Sequence, residues 1–381
     1  MNFDFDRIVE RLGTDSLKWR GCAARNLLPM WVADMDFASP PCIVEALQRR
    51  VEQAVFGYAL PTDELNQAVV QWAASHYNWP IQPEWIEWLP GLVPGLHVAC
   101  LAYASTGTEV LTHVPVYPPF LTAPNATGRV LKSVALALDE GRWSLDLSAL
   151  SDAVTQPRQL LMLCHPHNPV GRAYTRDELL ALSEVCERHD LIVCSDEIHC
   201  DLMLDSRPHI PLASLCETIA HRTITLMSPA KTFNTPGLSC GFAVISNAEL
   251  RRKFRRAAWG VVPHPNALGY AACQAAYTEG EAWRLELLDY LRGNRNFLAK
   301  FVAERLPMFS LSQVEATYLA WLDTRWLAAN NNESFFEEAG VKLSGGHTFH
   351  GPGYMRLNFG CPRTLLREGL ERIERAVRRV A

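Results

Sequence analysis

An α/β fold is predicted for this chain, with a large domain on a mostly parallel central sheet over residues 45–275 and a smaller α+β domain formed by residues 1–44 and 276–381. Three observations carry that expectation. The length of 381 residues exceeds one typical domain. Between about residues 85 and 245, short β-rich runs alternate with helical patterns, the rhythm of parallel strands joined by crossover helices. After about residue 275 the pattern changes to a long helix, then two strands and a closing helix.

Taken in order, LLPMWVADMDFASPP (residues 27–41) is too rich in Pro and Asp for a regular element and is expected to lie beside the smaller domain. LPGLVPGLHVAC (89–100) sets Gly91 and Gly95 between a strand and an apolar helical stretch. The clearest strands are EVLTHV (109–114), QLLMLC (159–164), DLIVCS (190–195), TITLM (223–227) and GFAVIS (241–246). Between the second and third of these, TRDELLALSEVCERH (175–189) reads as a crossover helix. Thr175 and Glu178 have the spacing of a capping box, and Leu179, Leu182 and Cys186 recur at helical intervals. The long helix runs through WRLELLDYLRGNRNFLAKFVAERL (283–306), and strands follow near TYLAWLD (317–323) and YMRLNFG (354–360).

Composition narrows the function. With 48% hydrophobic and 20% charged residues the chain falls near the soluble average, away from disordered and fibrous classes. A net charge of −5 offers no basic excess for a phosphate backbone, so no nucleic-acid partner is expected. The start, MNFDFDRIVERLG, lacks the continuous apolar stretch of a secretory signal, and no run reaches membrane-spanning length, so no membrane partner is expected either. The 11 cysteines are scattered without C-x-x-C pairs, which suits reduced thiols in the cytoplasm.

Chemistry gathers where strands end. QLLMLC runs into HPHNPVG, DLIVCS into DEIH, TITLM into SPAKTFN, and Arg356 sits within YMRLN. Ligands of open α/β sheets collect at the carboxyl ends of strands, so these segments are expected to converge. The set matches the needs of pyridoxal 5′-phosphate: a lysine for its aldehyde, a carboxylate for its ring nitrogen, a donor for its phenolic oxygen, a phosphate cradle and a stacking face. Lys231 would take the aldehyde, Asp196 the ring nitrogen and Asn168 the phenolic oxygen. Tyr117 in PVYPPF would stack on the ring, Ser228 would bind phosphate, and backbone N–H groups near Leu92 and Val93 would do so at a helix N-terminus.

Other conspicuous residues have simpler explanations. His165 and His167 share a strand face, but no Cys or carboxylate set completes a tetrahedral site, so supporting roles are favoured over a metal. Cys194 and Cys200 fit small apolar core positions, and Trp72, Trp79, Trp85 and Trp88 fit core or interface packing.

On Asn168-Pro169-x-Gly171, Asp196, Ser228-x-x-Lys231 and Arg356, in that order and spacing, the chain resembles over nearly its whole length the fold type I pyridoxal-phosphate enzymes related to aspartate aminotransferase. WVADMDFASPP, FGYALP, SDEIHCDL, KTFNTPGL and RLNFGCP resemble most the cystathionine β-lyase type of carbon–sulfur lyase, a group that includes maltose-regulon modulators. Aminotransferases usually carry Tyr at the position of His199 and a phosphate-binding Arg at that of Ser239, and neither is present. Pro229 beside the motif serine and His350 in HGPG, where Gly is more usual, depart from the lyase pattern. The resemblance implies Arg356 on the substrate α-carboxylate, Ala33 and Asn168 beside the substrate and His199 beside the cofactor. It further implies a homodimer with shared sites, in which Tyr58 of FGYALP reaches the neighbouring subunit's phosphate. The implied activity is β-elimination from L-cystathionine or related cysteine S-conjugates. An aminotransferase with the same cofactor and a regulatory binding protein retaining the fold are the alternatives.

Overall fold

The computed structural model describes residues 3–327 and 332–380; residues 1–2, 328–331 and 381 of the predicted smaller domain lie outside the described residues. The chain enters through β1 (Leu28–Pro29), α1 (Pro41–Glu52) and α2 (Asp63–Tyr77) and reaches the main sheet with β2 (Ile86–Leu89). Then come α3 (Leu92–Tyr103), β3 (Glu109–Val114), α4 (Pro118–Ala126), β4 (Val130–Ala135) and a hairpin of β5 (Ala137–Asp139) and β6 (Arg142–Ser144). Next are α5 (Leu147–Ala153), β7 (Leu160–Cys164), α6 (Arg176–Arg188), β8 (Ile192–Asp196), α7 (Glu217–Ala220), β9 (Thr223–Met227) and β10 (Gly241–Val244). Helices α8 (Ala248–Ala258), α9 (Ala267–Glu279) and α10 (Glu281–Arg305) lead to β11 (Ser310–Leu311), β12 (Leu319–Asp323) and α11 (Asn332–Glu338). Last are β13 (Val341–Lys342), β14 (Ser344–Gly345), β15 (Tyr354–Asn358) and α12 (Arg363–Val380).

Seven strands form the main sheet in the order β2-β10-β9-β8-β7-β3-β4, and every pair is parallel except the two that β10 makes. The apolar runs of β7 and β8 become strands because both of their faces are covered. Leu160, Met162 and Cys194 point into a core with Leu96 of α3, Phe120 of α4 and Leu250 of α8. Their neighbours Leu161, Leu163 and Val193 point the other way, against Leu150 of α5 and Leu179, Leu182 and Cys186 of α6. Truncating one of these buried leucines to Ala would cost roughly 2–5 kcal/mol. The capping box forms as predicted: Glu178 N–H donates to Thr175 Oγ1 at 3.2 Å, and Thr175 N–H donates to Glu178 Oε2 at 2.7 Å.

A second sheet, β11-β12-β15-β14, carries Arg356. The stretch 27–41, expected to hold no regular element, contributes β1, which pairs in parallel with β13. Its bonds come from Leu28 N–H to Gly340 O at 2.9 Å and Met30 N–H to Lys342 O at 2.8 Å. Pro29 lies between the two donors, so its missing N–H costs no bond. Of the tryptophans, Trp72 and Trp79 are buried while Trp85 and Trp88 are partly buried against the same core. Among the described residues no helix is long and apolar enough to cross a membrane.

Candidate active site

Because β2, β3, β7, β8 and β9 run the same way, their carboxyl ends open on one side of the sheet. The loops leaving them deliver Leu92 and Val93, Tyr117, Asn168, Asp196 and His199, and Ser228 and Lys231, to the wall of one cavity of about 770 Å³. The opposite wall is Trp31, Val32 and Ala33 from the N-terminal segment and Arg356 from β15. Each of these predicted residues therefore meets the others in one ligand-sized space. Tyr58 does not: within one chain it is fully exposed and away from this wall.

Arg356 is the most constrained of them. Its Nη1 donates to Asn168 Oδ1 at 3.1 Å, its Nη2 to Trp31 O at 2.8 Å and to Ser344 Oγ at 3.4 Å, and its guanidinium lies 4.8 Å from the Phe349 ring centre. With Asn168 Oδ1 so engaged, the amide NH₂ of Asn168 is left to donate elsewhere. Tyr117 N–H donates to Asn168 O at 3.0 Å, tying the β3 and β7 loops together. Lys231 Nζ donates to Ala33 O at 2.6 Å, and Tyr318 O–H donates to the same carbonyl at 2.9 Å.

Burial sets the electrostatics. It lowers the Lys231 amine to about 8, with Arg356 acting in the same direction. It raises the Asp196 carboxyl to about 7, against the opposing pull of the Ile198 N–H and Lys231. His199 is pushed well below the usual imidazole range by burial, then by Lys231 and Arg356, so its ring is neutral.

The residues present fit pyridoxal phosphate. Asp196 is buried yet accepts one N–H, from Ile198 at 3.1 Å, which leaves acceptor capacity for a cationic ring nitrogen. Arg356 Nε and His199 Nδ1 are buried without partners among the described residues. The N-terminus of α3 has no side-chain cap, so its first N–H groups are free for a phosphate, and Ser228 lines the same cavity with its hydroxyl donating to Cys240 O at 2.7 Å. His165 and His167 instead bond behind the site, to Ile210 O at 3.2 Å and to Pro115 O at 2.8 Å. Cys194 and Cys200 are buried.

The site also uses residues that the sequence did not disclose. Trp31 and Ser344 grip Arg356, and Asn358 Nδ2 donates to Val32 O and to Asp34 O at 2.7 Å. Asn234 holds the same segment through Met35 and Phe37. Lys18 Nζ at 2.6 Å and Arg11 at 2.8 Å pair with Asp36. The Asp and Asn in WVADMD, KTFN and RLNFG were the available signal, since short polar side chains often hold irregular backbone.

The sequence model for aminotransferase class I and II matches residues 25–373. Cystathionine beta-lyase PatB of Bacillus subtilis is 37% identical over 390 residues, covering 98% of this chain and 100% of its own. The solved structure of OvoB is similar at a TM-score of 0.94 and 46% identity, covering 98% of this chain and 99% of its own. Cystalysin from Treponema denticola, solved with a pyridoxal 5′-phosphate cofactor, is similar at a TM-score of 0.95 and 30% identity over 100% of both chains. With a matching family model over nearly its full length and the cofactor's donor set assembled in one cavity, the chain belongs to the pyridoxal-phosphate-dependent aminotransferase class I and II family.

Proposed function

We propose that this protein is a carbon–sulfur β-lyase that cleaves L-cystathionine or related cysteine S-conjugates to thiol, pyruvate and ammonia. The carrying observation is the single cavity where Lys231, Asp196, Asn168 and Arg356 meet, with Ser239 in its wall where aminotransferases usually carry a cationic arginine. The lyase name of the PatB relative supports the same branch.

In this proposal Ser228 and the α3 N-terminus at Leu92 and Val93 hold the cofactor phosphate, Tyr117 covers the ring, and Asn168 and neutral His199 face it. When bound, the cofactor supplies an electron-withdrawing ring that stabilises negative charge at the substrate α-carbon. Asp196 holds the proton on the ring nitrogen, because a buried carboxylate beside it favours the protonated form. Arg356, braced by Trp31 and Ser344, takes the substrate α-carboxylate in a charge-assisted fork, with Ala33 and Asn168 alongside. Lys231, with its amine lowered to about 8, is neutral in a useful fraction near neutral pH and takes the α-proton on Nζ. Tyr58 serves a second subunit in a homodimer with shared sites.

Elimination and transamination share that proton removal and then part, and a difference of about 1.4 kcal/mol between the two barriers is already tenfold in rate. Holoenzyme incubated with L-cystathionine or S-methyl-L-cysteine, without any keto acid, is expected to release thiol, pyruvate and ammonia in equal amounts over many turnovers. Turnover that stops after one equivalent and resumes only on adding an α-keto acid would assign an aminotransferase instead.

A further inference from the structure

The cavity that contains Arg356 extends to three more charged side chains, Glu333 and Glu337 on α11 and Lys342 on β13. None of them has a part in the chemistry at the α-carbon. From Val341 to Gly345 burial alternates: Val341, Leu343 and Gly345 are buried, while Lys342 and Ser344 are partly exposed. In extended chain that alternation puts Lys342 and Ser344 on one face. Ser344 is the register partner of Arg356 and accepts its hydrogen bond. Two residues of strand then separate Lys342 from this point by about 7 Å.

Trp31 connects the two cations. Its carbonyl accepts from Arg356 Nη2, and Lys342 Nζ lies 4.1 Å from its ring centre. Its own indole N–H donates to Lys18 O at 3.0 Å, which fixes the ring. Among the described residues Lys342 has no carboxylate partner. Glu333 and Glu337, four residues apart, share a face of α11. The Glu333 carboxylate packs so closely on Gly345 that a Cβ there would meet its Oε1 at 2.0 Å. Glu337 pairs with Arg25 and is partly exposed. One cavity thus presents a cation for one carboxylate in its depth, and a second cation with two carboxylates at its mouth.

We propose that the mouth is a distal subsite selecting S-substituents that end in an α-amino acid group, with Lys342 on the distal carboxylate and Glu333 and Glu337 on the distal ammonium. This rests on the lyase assignment above. An alkyl substituent has nothing to offer these groups, whereas a substrate with an amino acid at each end pairs with Arg356 and Lys342 at once. The mouth is partly solvated, so each pairing contributes modestly and the preference is the sum of several.

The test is equilibrium binding to holoenzyme, by calorimetry in the absence of keto acid. One ligand is L,L-2,7-diaminooctanedioate, with an amino acid at each end and a methylene in place of sulfur, which cannot undergo the elimination. The other is L-2-aminooctanoate, which lacks the distal group. The wild-type protein is expected to prefer the first by about tenfold or more. In Lys342→Met and in the Glu333→Gln/Glu337→Gln double variant that ratio should fall about fivefold, and in Lys342→Arg it should persist. A wild-type ratio near one overturns the proposal however any variant folds, and so does an unchanged ratio in Lys342→Met. Binding precedes the choice of reaction, so failed turnover on L-cystathionine would sink the lyase assignment while leaving this preference measurable.

Discussion

Lys231 and Asp196 titrate abnormally for one shared reason. Each loses hydration at the carboxyl end of an interior strand, so each charged form is disfavoured: the amine falls to about 8 and the carboxyl rises to about 7. The signs for stability differ. A raised carboxyl pKa means that the folded, cofactor-free protein binds more protons than the unfolded chain between the ordinary carboxylate value of 3.8 and about 7, so stability is lost as pH rises through that window. A lowered lysine pKa means that the unfolded chain binds more protons between about 8 and 10.5, so stability is gained as pH rises there. Urea unfolding of the cofactor-free protein at pH 4 and pH 7 should therefore show the wild type losing on the order of 4 kcal/mol more than Asp196→Asn. Glu197, also raised by burial to about 7, is present in both proteins, and its repulsion of Asp196 is part of the difference measured. Equal losses in the two would show that Asp196 is not buried as described. His350 adds a smaller point at this scale. Its φ of 59° is left-handed, which accounts for glycine being more usual at that position.

At the scale of elements, the cofactor's phosphate cradle depends on how closely α3 approaches β9 and β10. Gly241 opens β10 at the junction, and a Cβ there would meet Leu92 Cδ1 at 2.6 Å, Met227 O at 3.2 Å and Ser228 Cβ at 3.4 Å. Two of those three neighbours belong to the proposed phosphate cradle. Gly241→Ala should displace the Leu92 side chain at the head of α3 and crowd Met227 O, at a cost of about 1–3 kcal/mol, weakening cofactor affinity by roughly tenfold. Titrating cofactor-free protein with pyridoxal phosphate, followed by absorbance, would measure it; unchanged affinity would remove α3 from the cradle. This junction was legible only in part. LPGLVPGLHVAC gave the strand-to-helix turn, and the apolar runs of β7, β8 and β9 gave the strands whose ends place Asn168, Asp196 and Lys231. Of the partners of Arg356, Trp31 was not legible, because it acts through its backbone carbonyl, a group every residue has, from 325 positions away. β1 was missed for a related reason: two residues carry no periodicity, and their strand exists only because β13 returns to meet them.

At the scale of the whole molecule, large apolar side chains remain in water: Phe56, Tyr58 and Leu60 in one stretch, Trp259 and Val261 in another. Such groups suit coverage by a second copy, and the proposed shared site gives Tyr58 a purpose there. Mixing Tyr58→Phe and Lys231→Ala proteins should yield hybrid dimers in which one site carries both lesions and the other neither, restoring activity above that of both parents. Hybrids without such rescue would end the inter-subunit role of Tyr58. The contacts of Lys231 with Ala33 and of Arg356 with Trp31 have one more consequence, in the order of synthesis. Residue 33 leaves the ribosome long before residue 356, and at roughly 5–20 residues per second the interval is on the order of half a minute. Throughout it the N-terminal wall has no guanidinium to hold, and from residue 231 onward the nascent lysine waits for Arg356. A chain released between residues 231 and 356 would carry the lysine without the arginine, so capture of an amino acid by both ends of the pocket certifies that translation has passed residue 356.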